Sequence, residues 1–162
     1  LEFRRVLFRS RSSQVLVDIL GRLGLPVARE NEVALVGGLR ERFGGGVLAE
    51  ALRAEIKRKK QLRVVIDGVR HPGEIDVLKN CPGFLLVYVT APLELRYRRA
   101  LHRGEKVGET SFSLQEFKNE EKLPTEIHIR SMARAARVKL VNDKTLPDLY
   151  KQVEEKLVKK YF

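Results

Sequence analysis

The chain has 162 residues, 43% hydrophobic and 33% charged: enough apolar content to bury one domain's core, and too much for a disordered chain. Thirty-two Lys and Arg outweigh 21 Asp and Glu, and the net charge of +11 points to anionic partners such as nucleotides, nucleic acid or acidic lipid. A lone cysteine, Cys81, excludes a disulfide framework and a cysteine-only zinc site; three dispersed histidines (His71, His102, His128) form no compact metal motif, and no apolar run approaches the ~20 residues that span a bilayer.

The first ten residues, LEFRRVLFRS, lack the apolar core and small-residue cleavage site of a signal peptide. They read as translated adaptor or cloning sequence, so function is sought in residues 11–162, taken as one domain. Val15, Leu16, Ile19, Leu20 and Leu23 fall at helix offsets over Gln14 to Leu23, with Ser12 and Ser13 available as caps and Gly24 as the stop. A second helical pattern (Val33, Leu35, Val36, Leu39) contains Gly37 and Gly38 and is broken by Gly44-Gly45-Gly46. A third helix covers Val47 to Ile56 and ends in the basic run Lys57 to Lys60.

The period then changes. Leu62 to Ile66 predicts a short buried strand that runs into Asp67-Gly68, and Pro72 to Leu78 a helix. Phe84 to Val89 predicts a second buried strand, and Pro92 opens a long arginine-loaded helix. Gly104 to Ser111 reads as a polar loop, and Ser113 with Glu116 caps a helix over Ser113 to Lys122. Val138 to Val141 predicts a third strand before Asn142-Asp143, and Leu146 to Tyr161 a terminal helix. Strands alternating with helices predict an α/β fold with a parallel sheet, which takes ligands beyond the carboxyl ends of its strands.

Three constellations therefore stand out. In VVIDGVR (Val64 to Arg70) the strand delivers the Asp67 carboxylate to the ligand edge, where it can hold magnesium, directly or through water, or orient an attacking hydroxyl. Gly68 there allows close approach of a substrate, and Arg70 can grip a phosphate with two parallel hydrogen bonds. The same letters also describe an ordinary Asp-Gly turn with a surface arginine. In ELRYRRALHRGEK (Glu94 to Lys106), Arg96, Arg99 and Arg103 share one helix face, suited either to neutralising transferring phosphates or to simple solvation. Arg29, Arg40 and Arg42 flank a helix and a glycine turn and could hold a nucleotide's own phosphate or be surface charge. No aromatic residue interleaves with the basic run Lys57 to Lys60, which argues against single-strand nucleic-acid binding there.

Taken in order, these stretches resemble the P-loop nucleoside and nucleotide kinases, in particular the dephospho-CoA kinase-like and deoxynucleoside monophosphate kinase-like group. RENEVALVGGLRERFGGGVLA (residues 29–49) resembles the family's substrate-side segment, and VVIDGVRHPGEIDVLK its Walker B strand with a D-G-x-R turn. VYVTAPLELRYRRALHRGE resembles the strand, helix and lid, and VKLVNDKTLPDLYKQV the last strand, base loop and closing helix. Two positions depart from the family pattern: Lys144 replaces a glycine after Asn-Asp, and Gln14 stands where an aspartate is common. No G-x-x-x-x-G-K-[ST] loop occurs; Gly44 to Gly46 is not followed by Lys-Ser or Lys-Thr.

The resemblance implies an α/β, three-layer P-loop kinase-like fold with a parallel sheet, incomplete because the first strand and its phosphate loop are absent. It implies one nucleotide-kinase domain over 11–162, with a substrate-side helical segment near 25–60 and a lid near 96–125. Transfer of the ATP γ-phosphate to a nucleotide-type acceptor follows, with dephospho-CoA as the alternative acceptor and a basic nucleic-acid- or protein-binding module as the alternative of another class. Asp67, Arg99 and Arg103 are then catalytic; Arg29, Arg40, Gly68 and Arg70 bind the acceptor; Arg96, Asn142 and Thr145 lie toward ATP; and Asp67 is nearest the magnesium. Without the phosphate loop the chain as given is expected to be inactive. The missing strand would leave the strands at 62–66 and 84–89 with an open seam or in direct contact, and Val6-Leu7-Phe8 could add an edge strand. The same likeness, with the single cysteine, implies the cytoplasm and no membrane.

Overall fold

The computed structural model describes residues 8–60, 63–103, 113–123 and 126–162. They fall into two compact units that meet in sequence between Phe84 and Leu85. Each is a mixed α/β unit built on one two-stranded parallel sheet.

The first unit begins with β1 (Phe8–Arg11), followed by α1 (Gln14–Arg22), α2 (Arg29–Phe43), α3 (Val47–Arg58), β2 (Val64–Asp67) and α4 (Pro72–Leu78). β1 pairs in parallel with β2, from Phe8 opposite Val64 to Arg11 opposite Asp67. The helical crossover between them supplies the core: Leu16 of α1, Val36 of α2 and Leu48 of α3 meet as one buried cluster, backed by Val15, Leu35, Leu39 and Val47. Leu20, Leu52 and Leu78 are also buried. The helix expected from Gln14 forms at the predicted start, with its periodic Leu16 and Leu20 facing inward. Gly37 and Gly38 are carried inside α2, because burial of Val36 outweighs a propensity cost of about 1 kcal/mol per glycine.

The second unit contains β3 (Val87–Thr90), α5 (Leu93–Arg103), α6 (Leu114–Glu120), α7 (Ile129–Ala135), β4 (Val138–Val141) and α8 (Leu146–Val153). α8 runs into a π-helical stretch, Glu154–Val158, and a last turn, Lys159–Tyr161. β3 and β4 are parallel, with Val87 opposite Val138 and Thr90 opposite Val141. Val138 and Leu140 point into the core while Lys139 and Val141 face out. An edge strand does form at the end of the decapeptide, but as β1 (Phe8–Arg11) and so later than the Val6-Leu7-Phe8 stretch suggested; the short α7 escaped the sequence patterns.

The strand expectations need correction on two points. Of the two outcomes expected for the 62–66 and 84–89 strands, an open seam or direct contact, direct pairing is not seen among the described residues; each strand's hydrogen-bonded neighbour lies within its own unit. Nor are β2 and β3 fully buried, since each has a backbone partner on one side only: Val65 and Val89 are exposed. β3 also starts three residues later than the apolar run, because strand structure extends only as far as its partner β4, and Phe84 closes a turn onto the Cys81 carbonyl instead. Val6, Leu7 and Leu62 lie outside the described residues.

Candidate functional site

Asp67 is the last residue of β2, at the carboxyl end of a parallel pair, where ligand-binding groups of such sheets collect. Its carboxylate is partly exposed and ion-paired with Arg9, with Arg11 Nε 3.6 Å away. The Asp67 carbonyl also accepts the Ser12 N–H at 3.1 Å. Setting aside residues 1–10 therefore left out a contact: the last residues of that segment form the strand beside β2, and one of its arginines sits on the predicted catalytic acid.

The chain turns sharply after Asp67. Gly68 adopts φ +79°, a left-handed conformation that a side chain would strain, and nothing crowds its open face. The turn then delivers an exposed Arg70 and enters α4 through His71, whose Nδ1 accepts the Gly73 N–H at 3.1 Å, with Pro72 in the first helical turn. The third residue of that turn, Glu74, reaches back. One carboxylate oxygen accepts the Arg70 N–H at 3.0 Å, and the other accepts from Arg40 Nη2 of α2 at 3.2 Å. Glu74 is 1% exposed and Arg40 16%. Burial pushes the Glu74 carboxyl above its ordinary range, against the pull of the Arg70 and His71 backbone N–H groups and of the Arg40 charge.

The glycine triplet before α3 has a packing role here. A Cβ on Gly46 would stand 2.7 Å from the Gly73 carbonyl, and one on Gly73 would stand 2.7 Å from the Gly45 carbonyl carbon. The two backbones press together only because these side chains are missing. This contact seats the start of α4, and with it Glu74, against the end of α2 and the start of α3.

In the second unit, Arg99 Nη1 donates to the Asn142 carbonyl at 2.7 Å, joining α5 to the residue after β4. Two residues assigned to catalysis and ATP from sequence are thus in contact. Asn142 is further set by Gln152 of α8, whose amide accepts from the Val141 N–H (3.1 Å) and donates to the Val141 carbonyl (2.7 Å), standing in for another strand residue. Thr145 caps α8: its hydroxyl accepts the Asp148 N–H, and Asp148 in turn accepts the Thr145 N–H at 3.2 Å. The Thr145 hydroxyl also donates to the Asp148 carboxylate at 2.6 Å, and that bond first, then the Thr145 N–H, holds the exposed Asp148 carboxyl below its ordinary range.

Arg96 is committed within its unit. It donates to the Ala91 carbonyl at 3.0 Å, pairs with Glu121, which also takes Arg130, and lies 5.8 Å from the Phe117 ring centre. Arg96, Glu121 and Arg130 border a cleft of about 660 Å³, along with Thr90 of β3, Lys118 and Lys122. Arg29 opens α2 and is half-buried. The Arg103 side chain and the polar loop 104–111 lie outside the described residues.

Asp67, Gly68, Arg70, Arg29 and Arg40 thus belong to the first unit, and Arg96, Arg99, Asn142 and Thr145 to the second. Sequence reasoning missed Glu74, Glu121 and Gln152. Only Glu74 left a local signal, an acid at the third position of a helix opened by His-Pro. Among the described residues no group of three or more His, Cys, Asp or Glu is placed to hold a metal, and no helix is long and apolar enough to cross a membrane.

No family model matches the chain. It is similar to a UPF0200 protein of Sulfurisphaera tokodaii, 27% identical over 155 residues that cover 93% of this chain and 85% of that one. A UPF0200 protein of Methanosarcina mazei is 27% identical over 136 residues, covering 83% and 72% of the two chains. A shorter match, 31% identical over 90 residues and half of the relative, is to a UPF0200 protein of Methanoregula boonei. The relatives are thus archaeal proteins that share one label, and the label states no activity.

Proposed function

We propose that the chain belongs to an ATP-dependent nucleotide kinase of the P-loop type. The observation that carries this reading is the turn Asp67-Gly68-Val69-Arg70. A carboxylate ends a parallel strand, a left-handed glycine leaves room for a substrate, and an exposed guanidinium follows on a backbone held by a buried glutamate. Arg99 on the residue after β4 supports it from the other unit.

In this reading the acceptor oxygen attacks the γ-phosphorus of ATP, the bond to the β,γ-bridging oxygen breaks, and ADP leaves. Arg70 and Arg29 hold the acceptor's phosphate. The family resemblance would give Arg99 and Arg103 the task of offsetting charge on the transferring oxygens, and Asn142 and Thr145 a place near the base. Magnesium takes one or two carboxylates and otherwise phosphate and water oxygens, and in the Asp67–Arg70 turn Asp67 offers that carboxylate. When bound it would neutralise charge on the phosphates, and Arg9 would have to yield the carboxylate to it. Arg40 enters this scheme through Glu74 more than through the substrate, since its side chain is largely buried.

The test is calorimetric titration of the 162-residue chain with nucleoside monophosphates and with dephospho-CoA, each with and without RNA as competitor. Saturable nucleotide binding that resists RNA and falls roughly tenfold in Arg70→Ala is the expected result, tenfold being the effect of losing one charge-assisted phosphate contact. Preference for dephospho-CoA would shift the acceptor class. Displacement by RNA would replace the kinase with a basic binding module.

A further inference from the structure

We infer that Glu74 is a positioning residue for the substrate side: held by Arg40, it fixes the backbone at Arg70 and so the direction in which that guanidinium leaves the turn. The inference rests on the nucleotide-acceptor reading of Arg70 and deepens it. A glutamate at the third position of a helix ordinarily bonds the N–H of the capping residue and lies in water. Glu74 does more. It reaches one residue further back to the Arg70 N–H at 3.0 Å, and it is joined at 3.2 Å by an arginine 34 positions upstream.

The pair is also expensive to bury. Glu74 is 1% exposed, and the Arg40 Nε is buried with no hydrogen-bond partner. Two desolvated charges with one donor left over are a poor way to stabilise a helix end that a serine or a solvated glutamate could cap. What the arrangement does provide is geometry. α2, the Arg70 backbone and the first turn of α4 converge on one carboxylate. The side-chain-free contact of Gly46 with Gly73 presses the same helix start into place from the other side. At the left-handed Gly68, by contrast, a built Cβ would meet nothing within 4 Å, so no such close backbone contact fixes the turn at that residue.

The experiment uses the 162-residue chain with adenosine 5′-monophosphate as probe. Affinity is read by titration and the Arg70 amide by ¹⁵N chemical shift and hydrogen exchange. Glu74→Ala is expected to speed Arg70 exchange at least tenfold relative to amides of β4 and to weaken nucleotide binding about tenfold, the equivalent of one lost buried hydrogen bond. Glu74→Gln keeps an acceptor oxygen and is expected to restore Arg70 protection and most of the affinity. A folded Glu74→Ala protein with an unchanged Arg70 amide and unchanged affinity overturns the inference. Should Glu74→Ala fail to fold, Arg40→Gln takes its place: faster Arg70 exchange with weaker binding is again expected, and no change in either again overturns the inference. Arg70→Ala separates the two claims: no loss of affinity there sinks the acceptor reading, while the Arg70 amide in the Glu74 variants still tests the positioning role.

Discussion

The Glu74 carboxyl is raised by desolvation and Asp148 is lowered by the hydrogen bonds of a helix cap, so the two acids respond to pH with opposite sign. A carboxyl raised in the folded state contributes stability that is fully present below its unfolded value near 4.5 and is lost as pH rises through the folded value. Urea unfolding at intervals from pH 4 upward is therefore expected to show wild type losing ground to Glu74→Gln as pH increases. The Asp148 contribution runs the other way: it is present above the unfolded value of 3.8 and disappears as pH falls through the folded one. At pH 7, Glu74→Ala strands the Arg40 charge and is expected to cost about 3–5 kcal/mol, as does breaking a buried ion pair elsewhere, read as a drop in urea midpoint.

Glycines divide at the level of elements. Gly37 and Gly38 lie in mid-helix with nothing within 4 Å of a built Cβ, so Gly37→Ala or Gly38→Ala is expected to stabilise by about 0.5–1 kcal/mol. Gly46→Ala meets Val77 Cγ2 at 2.6 Å and the Gly73 carbonyl at 2.7 Å, and is expected to destabilise by about 1–3 kcal/mol. Thermal unfolding of the three variants checks both signs at once. All three positions read alike in the sequence, as breaks in an apolar pattern. What separates them is whether another backbone lies alongside, and that depends on α4 arriving from 27 residues downstream of Gly46. Thr145→Ala, which removes the cap of α8, is expected to cost about 1 kcal/mol and to loosen the segment that carries Asn142.

For the molecule as a whole, a net charge of +11 guarantees that polyanions are attracted. That attraction is expected to depend steeply on salt. Affinity for a random duplex DNA should fall more than tenfold between about 50 and 200 mM salt, by counter-ion release, while the nucleotide binding proposed for the Asp67–Arg70 turn should fall far less. Fluorescence anisotropy of both ligands over a salt series measures the two slopes; equal slopes would make charge alone the recognition principle.

Length, charge and apolar period by themselves determined an α/β chain, the helices that begin at Gln14, Val47 and Pro72, the strand at Val138 to Val141, the Ser113–Glu116 cap, and the placement of Asp67 at a strand's carboxyl end. Those features rest on interactions within a few residues, which a sequence records directly. Strand partners, the arginine seated on Asp67, the burial of Arg40 and the whole role of Glu74 were decided only in three dimensions. Each joins residues 34 or more positions apart, or depends on which side chains lose their water, and neither leaves a periodic trace in the chain.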